Sequence, residues 1–214
     1  MIISHRHKFI FIKTTKTAGT SIEIALSKFC GAEDVITRIT PEDEKLRSEA
    51  GYRGPQNFRL RGGGKFKNHD SASFIRAQVG ESVWNSYFKF CVVRNPWDRA
   101  VSYYYWKTHE LEERPCIDEF YEAERMLRLV RRGADLYRLD GRIAVDRVCI
   151  FERLQEELEE TRTELGLGEP LELPRAKGHF RDRDVHYRDV LSQELVKRIA
   201  TVFAQEVADF NFEY

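Results

Sequence analysis

The sequence has no excess charge of either sign. Lys plus Arg and Asp plus Glu number 35 each in 214 residues. General electrostatic binding to nucleic acid or to an acidic membrane surface needs a basic surplus, so neither is expected as a partner. Long apolar runs are missing too. No stretch approaches the ~20 residues that span a bilayer. Residues 1–8 lack the apolar core of a signal peptide, and Phe9 to Ile12 is too short to supply one. Cysteine is scarce: Cys30, Cys91, Cys116 and Cys149 form no C-x-x-C pair. Cys91 and Cys149 sit in apolar runs, where a reduced thiol behaves as a small core residue. His5 and His7 have no spaced Cys or His partners, so no zinc site and no metal is expected. These absences describe a cytoplasmic protein with reduced thiols and one domain over residues 1–214.

What is present is concentrated near the start. Four apolar residues, Phe9-Ile10-Phe11-Ile12, run into Lys13-Thr14-Thr15-Lys16-Thr17-Ala18-Gly19-Thr20-Ser21. Ile22, Ala25, Leu26 and Phe29 follow at helical spacing, stopped by Gly31. A buried strand, a polar loop and a helix start make a geometry that holds anions, because the first N–H groups and the positive dipole end face the loop. Lys16 adds a full charge, and Gly19 lets backbone approach a phosphate closely. A second reading of the same residues needs no ligand: Thr20 with Glu23 three positions on spells a capping box. The usual nucleoside-triphosphate loop has its lysine directly after a glycine. Here the lysine precedes the glycine by three positions.

Further along, residues 32–68 are polar and glycine-containing, with weak periodicity. They read as a flexible insertion or an acceptor-side flap, basic at its end through Arg59, Arg61, Lys65 and Lys67. Ser71 to Val79 predicts a short helix ended by Gly80. Tyr87 to Val93 predicts a buried strand running into Arg94-Asn95-Pro96, an N-cap followed by a good first helical residue. The helix beyond places Trp97, Ala100, Val101 and Tyr104 on one face. Asp98, Arg99, Ser102 and Trp106 fall on the other. Helices are expected over residues 117–132, 152–165 and 192–208, and a strand over residues 147–151. Strands alternating with helices predict an α/β fold of three layers, a central parallel sheet with helices on both faces. Ligands of such sheets bind beyond the strands' carboxyl ends, where both strand–loop–helix junctions lie. Two anion-ready junctions there suit a ligand with two separated anionic groups.

Lys16-Thr17-Ala18-Gly19-Thr20-Ser21 followed by Arg94-Asn95-Pro96-Trp97-Asp98-Arg99-Ala100-Val101-Ser102 resembles the two signature motifs of the sulfotransferases that use 3′-phosphoadenosine 5′-phosphosulfate (PAPS). The likeness is to the branch of Golgi carbohydrate enzymes and small bacterial members. It continues in Lys67-Asn68-His69-Asp70-Ser71-Ala72, in Val145 to Leu154, and in the closing Tyr187-Arg188-Asp189 and Phe210-Asn211-Phe212. The resemblance implies a P-loop-like fold and sulfuryl transfer to a hydroxyl, with a carbohydrate or small-molecule acceptor. It also implies release of 3′-phosphoadenosine 5′-phosphate (PAP) and no metal.

By the same resemblance, Lys16 to Ser21 grips the 5′-phosphosulfate, and Lys16 neutralises charge on the bridging oxygen. Thr17, Ala18, Gly19, Thr20 and Ser21 form the 5′-phosphate cradle. Arg94 and Ser102 match the 3′-phosphate contacts. His69 matches the base that takes the acceptor's proton. Trp97, Asp98 and Arg99 read as structural. Arg175 and Lys177 stand where relatives close the nucleotide site. One departure is Lys13-Thr14-Thr15, where relatives often carry His-Ile-Pro; Lys13 is read as touching the donor or the acceptor, or as capping the strand.

Two rival readings stand beside this one. An ATP-dependent small-molecule kinase would want the Gly-Lys-Ser/Thr order and an aspartate for magnesium. A non-catalytic PAP-binding protein would have no need of both Lys16 and His69. Neither the acceptor nor the oligomeric state is specified by these motifs.

Overall fold

The computed structural model describes residues 1–174 and 185–214. Its strands are β1 (Ile2–Ser4), β2 (Phe9–Ile12), β3 (Val35–Ile36), β4 (Phe88–Val93), the short pair β5 (Arg138–Leu139) and β6 (Arg142–Ile143), and β7 (Arg147–Ile150). Five of them form one sheet in the order β3-β1-β2-β4-β7, and β5 and β6 make a separate hairpin. The helices are α1 (Gly19–Ser27), α2 (Pro41–Glu49), α3 (Ala72–Ser86), α4 (Pro96–Thr108), α5 (Ile117–Phe120), α6 (Ala123–Arg131), α7 (Leu154–Glu164), α8 (Gln193–Val202) and α9 (Ala204–Phe210).

The sheet is mixed rather than wholly parallel as expected. β2, β4 and β7 run parallel, but β1 is antiparallel to both β2 and β3. The reason is length. Only residues 5–8 join β1 to β2, with Lys8 at φ 53°. A parallel crossover takes a dozen residues or more. Asp34 fastens this turn, accepting from Ser4 Oγ at 2.9 Å and from the backbone N–H groups of His5 at 2.6 Å and Arg6 at 3.0 Å.

Alternation along the central strands loads both faces of the sheet. Ile10, Ile12, Cys91 and Val93 pack with Ala72, Ile75 and Trp84 of α3. Phe9, Phe11, Phe90 and Val92 pack with Ile22 and Leu26 of α1 and with Leu158 of α7. A third cluster is helical, with Trp97, Ala100, Val101 and Tyr104 of α4 meeting Leu195 and Ile199 of α8. Cys30, Cys91 and Cys149 are buried free thiols, and burial pushes the Cys149 thiol up to about 11. No helix among the described residues is long and apolar enough to cross a membrane.

Several expected helices are interrupted. The predicted helix ends at Gly80, as expected, but a second turn continues to Ser86. Gly80 sits between them at φ 81°, ψ 162°, an extended left-handed conformation that glycine alone adopts readily. The 117–132 helix breaks at Tyr121 and Glu122, and the 192–208 helix at Phe203. Residues 32–68 carry β3 and α2, with Thr40 accepting from Asp43 N and Pro41 at the first helical position. Arg99, placed on the polar face by helical counting, is fully buried and pairs with Glu206 of α9 at 2.8 and 3.0 Å.

Candidate active site

The β2–α1 loop, Arg94 and Ser102 from the β4–α4 region, and Asn68 and His69 before α3 line one cleft of about 360 Å³. Trp106 of α4, Phe151 just after β7, and Ile39 and Thr40 ahead of α2 add to the wall. Lys13, Lys16, Thr17, Ala18, Gly19, Thr20 and Ser21 all contribute. Arg175 and Lys177 lie outside the described residues.

The loop leaves the start of α1 open. Ala18 is the N-cap in the left-handed conformation (φ 58°), with no side-chain cap bond and no acid in the first turn. Lys16 is also left-handed at φ 66°. The first N–H groups of a helix have no intrahelical acceptor, so here they and the dipole are available to an anion. The Thr20–Glu23 capping box is not formed. Gly19 makes the turn possible in another way: a Cβ there would lie 2.8 Å from Lys13 Cγ.

Glu23 instead points into the protein, fully buried. Its Oε2 meets Lys13 Nζ at 2.7 Å and the amino group of Met1 at 2.8 Å, and its Oε1 accepts from Thr37 Oγ1 at 2.9 Å. Arg47 of α2 stands 3.4 Å away. Burial opposes ionisation of this carboxyl, but Lys13 and the Met1 ammonium outweigh it and hold it down at about 2. Lys13 therefore borders the cleft while its ammonium is engaged on Glu23, and Asn68 Oδ1 lies 3.4 Å away.

Inside the loop, the Thr14 and Thr17 hydroxyls are 2.8 Å apart, and Thr14 also donates to the carbonyl of Val92 in β4. Thr17 is 1% exposed, so its hydroxyl braces the loop. The buried hydroxyl of Thr15 has no hydrogen-bond partner among the described residues. A polar atom orphaned in a cleft wall costs stability unless a ligand or water satisfies it.

The second junction is built differently. Asn95 Oδ1 accepts from the backbone N–H groups of Trp97 at 3.1 Å and Asp98 at 3.3 Å, closing the start of α4. Arg94 donates through Nε to Asp98 Oδ2 at 2.7 Å and through a terminal nitrogen to the Lys16 carbonyl at 3.0 Å. Its guanidinium lies over the Phe151 ring at 4.2 Å. Lys16 Nζ lies 5.3 Å from the Trp106 ring centroid. Glu152 accepts from Asn95 N at 2.8 Å, tying the end of β7 to this junction.

His69 is fixed from the first loop. Its Nδ1 is 2.8 Å from the Lys13 carbonyl. A carbonyl only accepts, so Nδ1 carries the proton and Nε2 keeps the lone pair. Asn68 anchors the segment, donating to the Arg38 carbonyl at 2.5 Å, with its Oδ1 2.9 Å from Thr37 Oγ1. Burial drives the imidazole down to about 4, against the pull of the Lys13 carbonyl. The sequence suggests titration near neutrality; in the folded chain burial instead keeps His69 neutral at pH 7, with Nε2 unprotonated. Sequence reasoning did not assign roles to Trp106, Phe151 or Thr15. Trp106 falls on the same helical face as Ser102, four residues away, which is the one signal that points to it.

The fold and cleft define an α/β protein with an open helix start and basic side chains in a cleft at the carboxyl end of its sheet. The chain belongs to the sulfotransferase family, whose model matches residues 1–142. An uncharacterized protein of Archaeoglobus fulgidus is 29% identical over 105 residues, 48% of this chain and 87% of its own length. No solved structure gives a significant match. Membership of the family implies sulfuryl transfer in general. No group of three or more His, Cys, Asp or Glu among the described residues is arranged to hold a metal ion.

Proposed function

We propose that the protein transfers the sulfuryl group of PAPS to an acceptor hydroxyl, that of a carbohydrate, and releases PAP. The observation that carries this reading is the convergence of Lys16, the open start of α1, Arg94, Ser102 and His69 on one cleft. The donor set fits such a ligand: free helix N–H groups and Gly19 suit a 5′-phosphate, and the orphaned Thr15 hydroxyl offers one more bond. Arg94 and Ser102 suit the 3′-phosphate, one by its full charge and the other by its hydroxyl. Trp106 and Phe151 offer apolar walls.

His69 Nε2 takes the proton of the acceptor hydroxyl as that oxygen forms its bond to sulfur. The bond from sulfur to the bridging oxygen breaks on the opposite side, and its electrons leave with PAP. Lys16 stabilises the charge that develops there, worth about 3–4 kcal/mol for a well-aimed donor. Lys13 acts as a brace: its carbonyl orients His69 while its ammonium stays on Glu23. Reduced buried thiols favour a cytoplasmic setting.

The rival reading is an ATP-dependent kinase. Calorimetry with PAP, and separately with ATP and magnesium, tests the choice. PAP is expected to bind tightly and ATP weakly with no dependence on magnesium. Comparable, magnesium-dependent ATP binding would overturn the sulfotransferase reading.

A further inference from the structure

The β2–α1 loop has a backbone anchor that comes from neither junction. Thr15 N donates to the Arg132 carbonyl at 2.9 Å. Thr15 stands between Lys13, whose carbonyl orients His69, and Lys16. Arg132 is the residue just past α6, and the last carbonyls of a helix have no donor within it. The loop therefore takes up a bond that α6 leaves over, and its position follows the end of that helix.

The helix end is itself held from outside. Its local bonds are ordinary: Arg132 N to Arg128 O at 3.2 Å and Gly133 N to Val130 O at 2.9 Å. The unusual contact is with Arg99 of α4. A Cβ on Gly133 would lie 2.5 Å from Arg99 Nη1 and 3.0 Å from its Cζ and Nη2. The tip of an arginine ordinarily swings aside from such a clash. This one is fully buried, with Nη1 and Nη2 on the two carboxylate oxygens of Glu206 at 3.0 and 2.8 Å. The Phe203 ring lies 4.9 Å from its Cζ, and the Tyr137 hydroxyl donates to Glu206 Oε1 at 3.2 Å. The guanidinium is thus a fixed plate, and the turn at Arg132 and Gly133 rests on it.

We propose that Arg99, set by Glu206 of α9, is a positioning residue for the donor loop. It acts through the Gly133 turn and the Arg132 carbonyl, and so places Lys16 and His69 without touching either ligand. What the loop binds rests on the sulfotransferase reading; that the pair holds the loop does not. A buried ion pair is weak evidence for stability, because apolar replacement of both partners is often neutral. Here the pair supplies a rigid surface that a flexible apolar side chain would not.

The test uses the full chain and two changes. Gly133→Ala pushes a methyl group at the plate and leaves every charge partnered. Arg99→Met with Glu206→Gln removes the plate, leaves no lone buried charge and keeps an acceptor for the Tyr137 hydroxyl. Amide hydrogen exchange by NMR reads the anchor directly. In each variant the Thr15 amide is expected to exchange about tenfold faster relative to the amides of β4, the worth of one hydrogen bond, and PAP affinity in calorimetry to fall by a similar factor. Combining the two changes is expected to cost little more than either alone, since both break the same support. A Thr15 amide that keeps its protection would overturn the inference. So would an equal loss of protection across β4, which marks general destabilisation, or losses that multiply in the combined variant. Should the paired replacement fail to fold, Gly133→Ala decides alone. Failure of PAP to bind the parent chain would remove the sulfotransferase reading, while exchange at Thr15 would still judge the anchor.

Discussion

The two strand–loop–helix junctions look alike in sequence and differ in what they leave unsatisfied. At the first, β2 leads through a left-handed Lys16 and Ala18 to a helix with no side-chain cap. At the second, β4 leads to Asn95, which caps two N–H groups, and to Pro96, which has none to offer. Asp98 then places a carboxylate in the first turn of α4, where it meets the dipole and holds Arg94. A helix start is therefore an anion site only where the chain has not already filled it. The first junction presents backbone and dipole, whereas the second presents a guanidinium and the Ser102 hydroxyl. That division suits a ligand gripped at one phosphate by backbone and at the other by side chains.

Three variants probe this contrast. The largest effect is expected from His69→Ala, because the proposed base hangs on the first junction through the Lys13 carbonyl. Turnover should fall by roughly 10²–10⁴-fold, the usual worth of a positioned base, with PAP affinity nearly unchanged in calorimetry. The same imidazole reports the donor's arrival. It titrates near 4 in the free protein, and a polyanion beside it favours the protonated form. Its pKa, followed by NMR, should therefore rise when PAP binds. Normal turnover in the variant would move the base elsewhere.

Next comes Gly19→Ala. The new Cβ would collide with Lys13 Cγ at 2.8 Å, shifting the loop from its cradle. PAP affinity should drop on the order of tenfold, as for one lost charged hydrogen bond. An unchanged affinity would mean that the open start of α1 does not hold phosphate. The smallest effect is expected at the closed junction. Asn95→Ala should lower stability by about 1 kcal/mol, the worth of a cap, seen in the denaturant midpoint, while PAP affinity changes little. A large loss of PAP affinity there would erase the distinction between the junctions.

Much of this arrangement is readable from local pattern. The buried runs Phe9–Ile12 and Phe88–Val93, the Asn95-Pro96 cap and the lysine-bearing loop all carry their signals within a few residues. What escapes reading is set by distant partners. Glu23 looks like half of a capping box, but it lies in the protein with Lys13, Thr37 and Arg47 around it. Arg99 looks like a surface residue, and its partner Glu206 is 107 positions away. β1 has only three residues, all buried, too few to show a period. Some signals were present without being used: Thr40-Pro41 announces α2, and Asp140-Gly141 announces the β5–β6 hairpin. Trp106 shares a helix face with Ser102, but only the fold shows that Phe151 arrives beside them from another strand.

Lys13 joins two jobs in one residue, holding the base by its carbonyl and the loop's buried carboxylate by its side chain. Any change that re-aims the donor loop must also re-aim His69. The cationic loop at residues 58–66, by contrast, touches the rest of the chain through few backbone bonds and carries its charges on exposed side chains. A substitution in that loop can therefore change its charge without moving His69, whereas one that moves the β2–α1 loop moves the anchor of His69 with it.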